Sequence, residues 1–321
     1  MKPDFRLLAL GAMMCLGVLL TGCGGANPAS TGTTTPVARG DGPLKAVCTV
    51  GMIADIVQRV GGKHVQVQSL MGPGTDPHLY KAREDDSRAL SGADVIFYVG
   101  LNLEGKMSDL FVKMQRKKPV FAMSDPEYID PKLLREPPEM EGHYDPHIWF
   151  DVSLWMKSAE RVRDALAEVD RAHADDYKKN AEALLKEMGE LHEWCKKELA
   201  TIPQERRILI TAHDAFGYFG RAYGVEVRGI QGISTEDQAP VAAINELVDL
   251  IVTRKVKAVF VESSVPRKNI EALLEGCKAR GHTIVIGGEL FSDAMGEADK
   301  PEGTYIGMVK HNVETIVKAL K

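Results

Sequence analysis

Short apolar runs alternate with amphipathic stretches along most of the chain. Apolar positions recur at helical spacing between the runs, as in Met52, Ile56 and Val60 ahead of Gly61. The predicted strands are 44–50, 65–70, 95–99, 120–123, 207–211, 225–230, 258–261 and 283–286. The predicted helices flanking them are 52–60, 84–91, 103–115, 215–223, 241–253, 267–280 and 305–320. Strands that alternate with helices predict an α/β fold with parallel sheets.

A stretch of about fifty residues between the two halves has no strand pattern, and its apolar side chains again recur at helical spacing. It predicts two helices broken near His173, the second extending over 173–201 and ending before Pro203. About 28 residues at about 1.5 Å each give a helix of roughly 40 Å. We therefore predict two α/β lobes, 44–172 and 202–321, each with its own core and joined by this single long helix.

The N-terminus has the pattern of an export signal. A charged start precedes an apolar stretch over 7–20, and Thr21 and Gly22 stand directly before Cys23. This pattern predicts a lipoprotein signal peptide over 1–22 and a lipid on Cys23; an ordinary signal with a chance cysteine is the alternative. Residues 23–43 are rich in small residues and proline, which predicts a flexible tether. We expect an extracytoplasmic protein anchored to a bacterial membrane, at the cell surface or in the periplasm.

Charge and cysteine content narrow the classes of partner. The formal net charge of −5 argues against nucleic acid. Cys48, Cys195 and Cys277 remain once the signal and the lipidated cysteine are set aside, and they form no CxxC pair. Each lies in an apolar periodic segment, so we expect buried thiols rather than metal ligands, with a single disulfide among them left open.

Four residues with metal-binding side chains follow predicted strands. They are His78 in a Gly-Thr-Asp-Pro-His segment, His147 in an Asp-Pro-His-Ile-Trp segment, His213 and Asp293. Since ligands in such folds bind beyond the carboxyl ends of the strands, these side chains are expected to converge on one cleft. Imidazole and carboxylate donors favour zinc, manganese or iron over calcium or magnesium.

Two of these histidines are preceded by Asp-Pro, which fixes the backbone ahead of the ligand. The other histidines are expected to be ordinary surface or helix residues. His143 is a candidate exception, because it lies four residues before His147 and could pass metal inward.

Taken together, several motifs resemble one family across essentially the whole mature chain. They are the lipobox, GTDPH at 74–78, DPHIWFD at 145–151, TAHDAFGYF at 211–219, GIST at 232–235 and FSDAMG at 291–296. The chain resembles the cluster A-I substrate-binding proteins of metal ABC transporters, solute-binding protein family 9. The resemblance implies two lobes joined by one long helix, with one Zn(II) or Mn(II) held between them. It also implies delivery of that ion to a membrane permease driven by an ATPase, and we expect a monomer.

The family ligands map onto His78, His147, His213 and Asp293. Histidine at the third position resembles zinc-uptake and treponemal-type receptors, whereas manganese-specific members usually have glutamate, so zinc is favoured. The loop before the second ligand is short and carries only His143, unlike the histidine-rich loop of many zinc receptors, so manganese stays open. Glu262 matches a family position near the site; it would either orient a histidine or act as an N-terminal acid of the next helix.

Two other functions were weighed. A secreted metal-dependent hydrolase would need an open coordination position and a general base, and the chain has neither HExxH nor a nucleophile elbow. Surface adhesion has no supporting feature in the sequence. The leading prediction is a metal receptor that is not an enzyme, whose affinity falls toward and below a pH of about 6.5, where free imidazole is protonated.

Overall fold

Four parallel strands form the sheet of the N-terminal half in the computed structural model, which describes residues 42–321 except Asp237 and the side chain of Glu139. The strands lie in the order β2-β1-β3-β4. Their bounds are Leu44–Cys48 for β1, Val65–Ser69 for β2, Val95–Tyr98 for β3 and Val120–Ala122 for β4. The helices between them are α1 Gly51–Gly61, α2 Glu84–Gly92 and α3 Ser108–Gln115. This half confirms the predicted parallel α/β arrangement.

Helix α1 shows how the sequence produces an element. Its apolar residues recur on one face and are buried against the sheet, among them Ile53 and Val57. The helix ends at Gly62, whose φ of 55° requires a residue without a Cβ and whose backbone N–H donates to the Gln58 carbonyl. The chain then turns directly into β2.

The C-terminal half is built from two parallel strand pairs, β5 with β6 and β7 with β8. The strands are β5 Ile208–His213, β6 Glu226–Gln231, β7 Ala258–Glu262 and β8 Val285–Leu290. The helices are α6 Gly217–Tyr223, α7 Val241–Arg254, α8 Lys268–Ala279 and α9 Tyr305–Leu320. Strands β5 and β7 are buried along their whole length, which explains their continuous apolar sequences.

Strand β8 differs from its predicted position at 283–286. It begins two residues later and continues through Gly287 and Gly288, beyond the predicted end at residue 286. A Cβ on Gly287 would lie 2.7 Å from the Ala319 Cβ of α9. The glycines therefore permit a close approach of α9 to the strand rather than a turn.

Two helices connect the halves, as predicted. Helix α4 spans Val152–Val169, and α5 spans Ala174–Leu199 after a short 3₁₀ turn at Arg171–His173. The 26 residues of α5 give a length of about 39 Å at about 1.5 Å per residue. Its buried stripe contains the predicted apolar residues, from Tyr177 to Cys195.

The apolar core is continuous between the halves. One cluster contains Ile53 of α1, Leu184 of α5 and Val313 of α9, while a smaller cluster around Val259 and Ile251 lies within the C-terminal half. The two lobes therefore do not have entirely separate cores, because residues of α5 and α9 belong to the larger cluster together with residues of α1. Cys48, Cys195 and Cys277 are buried free thiols. Among residues 42–321, no helix combines the length and apolar character needed to cross a membrane.

Candidate metal centre

The fold brings the four predicted ligands to one point. His78 follows β2, His147 follows β4 and precedes α4, His213 is the last residue of β5, and Asp293 follows β8. His213 lies at the carboxyl end of its strand, and the other three lie in segments that follow such ends, where parallel sheets place their binding sites. The four side chains are between 0% and 5% exposed, so their ligand atoms face each other rather than water.

The separations between the ligand atoms suit a single ion. Asp293 Oδ1 lies 3.3 Å from His147 Nε2, and Asp293 Oδ2 lies 3.2 Å from His213 Nε2 and 3.7 Å from His78 Nε2. The Nε2 atoms of His78 and His147 are 3.3 Å apart. Tetrahedral zinc with bonds of about 2.1 Å places neighbouring ligands about 3.4 Å apart. The cluster is thus close to the size of a tetrahedral coordination shell.

Three of these ligand atoms have no hydrogen-bond partner among the described residues: His213 Nε2 and both carboxylate oxygens of Asp293. Burying a carboxylate without hydrogen bonds is costly unless a positive charge compensates it. The aspartate and the surrounding Nε2 atoms therefore form a donor set that a divalent cation would satisfy.

The charges of the metal-free cluster are strongly coupled. Burial raises the pKa of Asp293, but His213 and His147 outweigh it and hold that pKa well below its usual range. Burial lowers the pKa of His147, but Asp293 and Asp145 outweigh it and raise the pKa to about 9. Burial also lowers the pKa of His213, but Glu262 and Asp293 outweigh it and raise that pKa well above its usual value. Metal binding near neutral pH must therefore displace protons.

His78 behaves in the opposite way. Burial lowers its pKa to about 3, and the nearby Asp293 only partly offsets this. His78 is therefore neutral at physiological pH and needs no deprotonation before binding a metal.

His147 is oriented by the aspartate of its own Asp-Pro-His motif. Asp145 Oδ1 accepts from the His147 backbone N–H at 3.0 Å and lies 2.8 Å from the ring Nδ1. Its other oxygen pairs with Arg135, and Tyr218 Oη donates to the Asp145 carbonyl at 2.9 Å. With Nδ1 held by a carboxylate, Nε2 is the nitrogen available for a metal.

Glu262 holds His213 in the same way. Its Oε2 lies 2.5 Å from His213 Nδ1, and its Oε1 accepts from the His213 backbone N–H at 2.9 Å. Glu262 is the last residue of β7 and α8 begins at Lys268, so the alternative role as a helix N-terminal acid does not apply. Both buried residues are fixed by strands.

The structure does not bring His143 to the cluster. Its side chain is exposed, and the group of converging ligand atoms within 4.8 Å of one another contains only His78, His147, His213 and Asp293 among the described residues. His64 and His173 stack on each other away from the cluster, with ring centroids 3.8 Å apart.

Sequence reasoning missed the roles of the two aspartates before the prolines. Asp76 Oδ1 accepts from the His78 backbone N–H at 2.9 Å, just as Asp145 does for His147. The proline of each Asp-Pro-His segment explains only the rigidity of the backbone before the histidine. The aspartate two residues before each histidine was the available signal, because Asx side chains commonly bond to the backbone two residues on.

Comparison with known proteins gives the same family along nearly the whole chain. The family described as "Zinc-uptake complex component A periplasmic" matches residues 46–319. The manganese-binding lipoprotein MntA of Bacillus subtilis is 44% identical over 312 residues, 97% of this chain and 98% of that protein. The zinc-binding protein TroA of Treponema pallidum is 46% identical over 283 residues, 88% of this chain and 91% of that protein.

The same treponemal protein has a solved structure that is similar in fold. It superposes with a TM-score of 0.84 at 46% identity and covers 87% of this chain and 99% of its own. The chain belongs to this family of periplasmic metal-uptake binding proteins, and its fold is the family fold, as the sequence motifs predicted.

Proposed function

We propose that this protein is an extracytoplasmic receptor that binds one zinc or manganese ion and delivers it to an ABC-type import permease. The observation that supports this most directly is the buried cluster of three histidines and one aspartate, in which three ligand atoms have no other partner among the described residues. The ligands in this proposal are His78, His147, His213 and Asp293. The named functions of the related zinc and manganese receptors support the same role.

Zinc is the favoured cargo in this proposal, with manganese as the second. Three imidazoles and one carboxylate at tetrahedral separations suit zinc. The relatives point to both metals, since one is named for manganese and another for zinc. Zinc also binds such sites more tightly than manganese, so cellular supply would decide which ion is carried.

The site geometry argues against an enzyme. Four protein donors complete a tetrahedral shell, and the ligand side chains are at most 5% exposed. Catalytic zinc sites keep an open position for water next to a general base. Glu262, a candidate base beside the cluster, instead has both oxygens bonded to His213.

The N-terminal predictions fall outside the described residues and form part of the proposal. Residues 1–22 would be removed, Cys23 would carry the lipid, and 23–43 would tether the lobes 44–172 and 202–321, joined by 173–201, to the membrane. A tether of small residues would let the body reach the permease while the lipid keeps it at the membrane. Relatives that are named as lipoproteins support this arrangement.

An uptake experiment in the source organism tests the proposal. Cells lacking this chain are given the full-length protein, the variant His213→Ala, or the control His143→Ala, and their uptake of labelled zinc and manganese is measured. We expect uptake to be restored by the wild type and by the exposed-histidine control, and to be lost with His213→Ala. Equal uptake with His213→Ala would contradict the proposed receptor role.

A further inference from the structure

Two polar contacts join the halves of the molecule beside the metal ligands. Thr235 Oγ1 donates to Asp76 Oδ2 at 2.6 Å, and Lys106 Nζ lies 3.0 Å from Glu236 Oε1. Asp76 and Lys106 belong to the N-terminal half, whereas Thr235 and Glu236 follow β6 in the other half. The contacts therefore cross the cleft that contains the ligand cluster.

The Asp76 carboxylate connects a ligand to the opposite half. One of its oxygens accepts from the His78 backbone N–H at 2.9 Å, and the other accepts the Thr235 hydroxyl. Any movement of the Thr235 loop away from Asp76 breaks the second bond. The loop of His78 would then lose this hydrogen bond to the other half.

The segment that carries Thr235 is anchored near a second ligand. Gln231, at the end of β6, pairs in register with His213, and the Gly232 carbonyl accepts from Asp214 N at 3.3 Å. Residues 232–236 therefore reach from the neighbour of His213 to the neighbour of His78. This short segment spans the cluster from one ligand loop to the other.

Two other hydrogen bonds between the halves, by contrast, involve aromatic side chains of the apolar core. Trp149 Nε1 donates to the Ser292 carbonyl at 3.0 Å, and Tyr305 Oη donates to the Trp149 carbonyl at 2.7 Å. Both aromatic side chains are at most 1% exposed and lie within the shared core. Separating them would expose apolar area, whereas separating Asp76 from Thr235 breaks one hydrogen bond. Opening on the Thr235 side is therefore the less costly movement.

We propose that Asp76 and Thr235 form a latch that keeps the cleft closed over the bound ion and sets the rate at which the ion leaves. This inference rests on the proposed receptor function and adds two positioning residues to it. The Lys106–Glu236 pair has side-chain exposures of 29% and 51%, so solvent screens it and it contributes little to the latch.

Thr235→Val tests the latch, because valine has nearly the shape of threonine but cannot donate the hydrogen bond. Metal-loaded protein is mixed with excess chelator, and the dissociation rate is followed for wild type, Thr235→Val, Thr235→Ser and Glu236→Gln. A hydrogen bond to an ionised carboxylate corresponds to a rate change of about tenfold to a hundredfold. We expect that acceleration in Thr235→Val, rescue in Thr235→Ser, and a change below about threefold in Glu236→Gln.

Three further readouts separate the latch from a general structural role. Thr235→Ala provides a second variant without the hydroxyl, and the melting temperature of each metal-free variant reports whether it folds as the wild type does. The latch predicts a cooperative unfolding transition, one ion per chain and faster release in both variants. Full metal content with wild-type release rates in Thr235→Val would overturn the latch. Fast release in Thr235→Val that persists in Thr235→Ser would also overturn it. A wild type that binds no metal would instead refute the receptor function itself.

Discussion

Replacing Glu262 by glutamine tests how the protein prepares His213 to bind a metal. In the structure both carboxylate oxygens accept hydrogen bonds from His213, Oε2 from ring Nδ1 at 2.5 Å and Oε1 from the backbone N–H at 2.9 Å. A glutamine side chain has one accepting oxygen and one donating NH₂ group. In the Glu262→Gln variant the NH₂ group therefore faces one of the two His213 N–H donors, and that hydrogen bond is lost.

The magnitude follows from which bond is lost. If the NH₂ group faces Nδ1, the imidazole must place its proton on Nε2, the atom that would bind the metal. If it faces the backbone N–H, a buried donor is left unpaired. Loss of such a supporting carboxylate typically weakens metal affinity tenfold to a hundredfold, about 1.4 to 2.8 kcal/mol. We expect Glu262→Gln to fall within this range.

The assay is a competition titration against a chelator of known affinity, with Glu289→Gln as the matched control. Glu289 is 47% exposed and pairs with Arg267 at 3.1 Å, so its substitution should leave affinity unchanged. Glu262 also raises the pKa of His213, so the variant suffers less proton competition, and its deficit should grow as the pH rises from about 7 to about 9. Equal affinity for the Glu262→Gln variant and the wild type across that range would show that Glu262 does not prepare His213 for metal binding.

The remaining predictions concern pH, the second supporting carboxylate and the anchor. The pKa of metal-free His147 is raised to about 9, and that of His213 is raised well above its usual value. At lower pH both side chains are protonated, and a metal ion must displace these protons. Metal affinity should therefore fall by about tenfold to a hundredfold per pH unit as the pH decreases from about 9. Free imidazole would instead predict constant affinity down to a pH of about 6.5, and that result would contradict the raised pKa values. Asp145→Asn should weaken metal binding less than Glu262→Gln in the same titration. One Asp145 oxygen accepts both hydrogen bonds from His147, and the amide oxygen of asparagine can replace it. A larger loss of affinity in Asp145→Asn than in Glu262→Gln would contradict this prediction. Cys23→Ala should release the protein from the membrane fraction with metal binding intact, and a membrane-bound variant would argue against the lipid anchor.

Local sequence patterns were enough to predict much of the fold. Buried strands such as β5 and β7 have continuous apolar sequences, and α5 has a regular apolar stripe, so each element could be located from its own residues. The bounds of β8 could not, because Gly287 lies in the strand only to let α9 approach. That requirement arises from a neighbour more than twenty residues away in sequence.

The four residues that converge in the buried cluster could also be predicted, whereas several of the residues that support them could not. His78 and His147 share a motif and His213 ends a clear strand, so their placement at strand ends followed from the sequence. The Asp76–Thr235 bond joins residues 159 positions apart, and no local pattern pairs them. The raised pKa values of His147 and His213 likewise depend on the carboxylates that folding brings against them. These raised pKa values place the predicted fall in affinity at a higher pH than free imidazole alone would.

Metal content per chain shows whether the buried cluster of three histidines and one aspartate holds an ion. The soluble fragment beginning after Cys23 is stripped of metal, offered equal zinc and manganese, separated from free ions, and its bound metals are quantified alongside His213→Ala and the exposed-site control His143→Ala. We expect one ion per chain for the wild type and for His143→Ala, with more zinc than manganese. We expect almost no bound metal for His213→Ala. A wild type without bound metal, or a His213→Ala variant that still holds one ion per chain as tightly, would contradict this prediction.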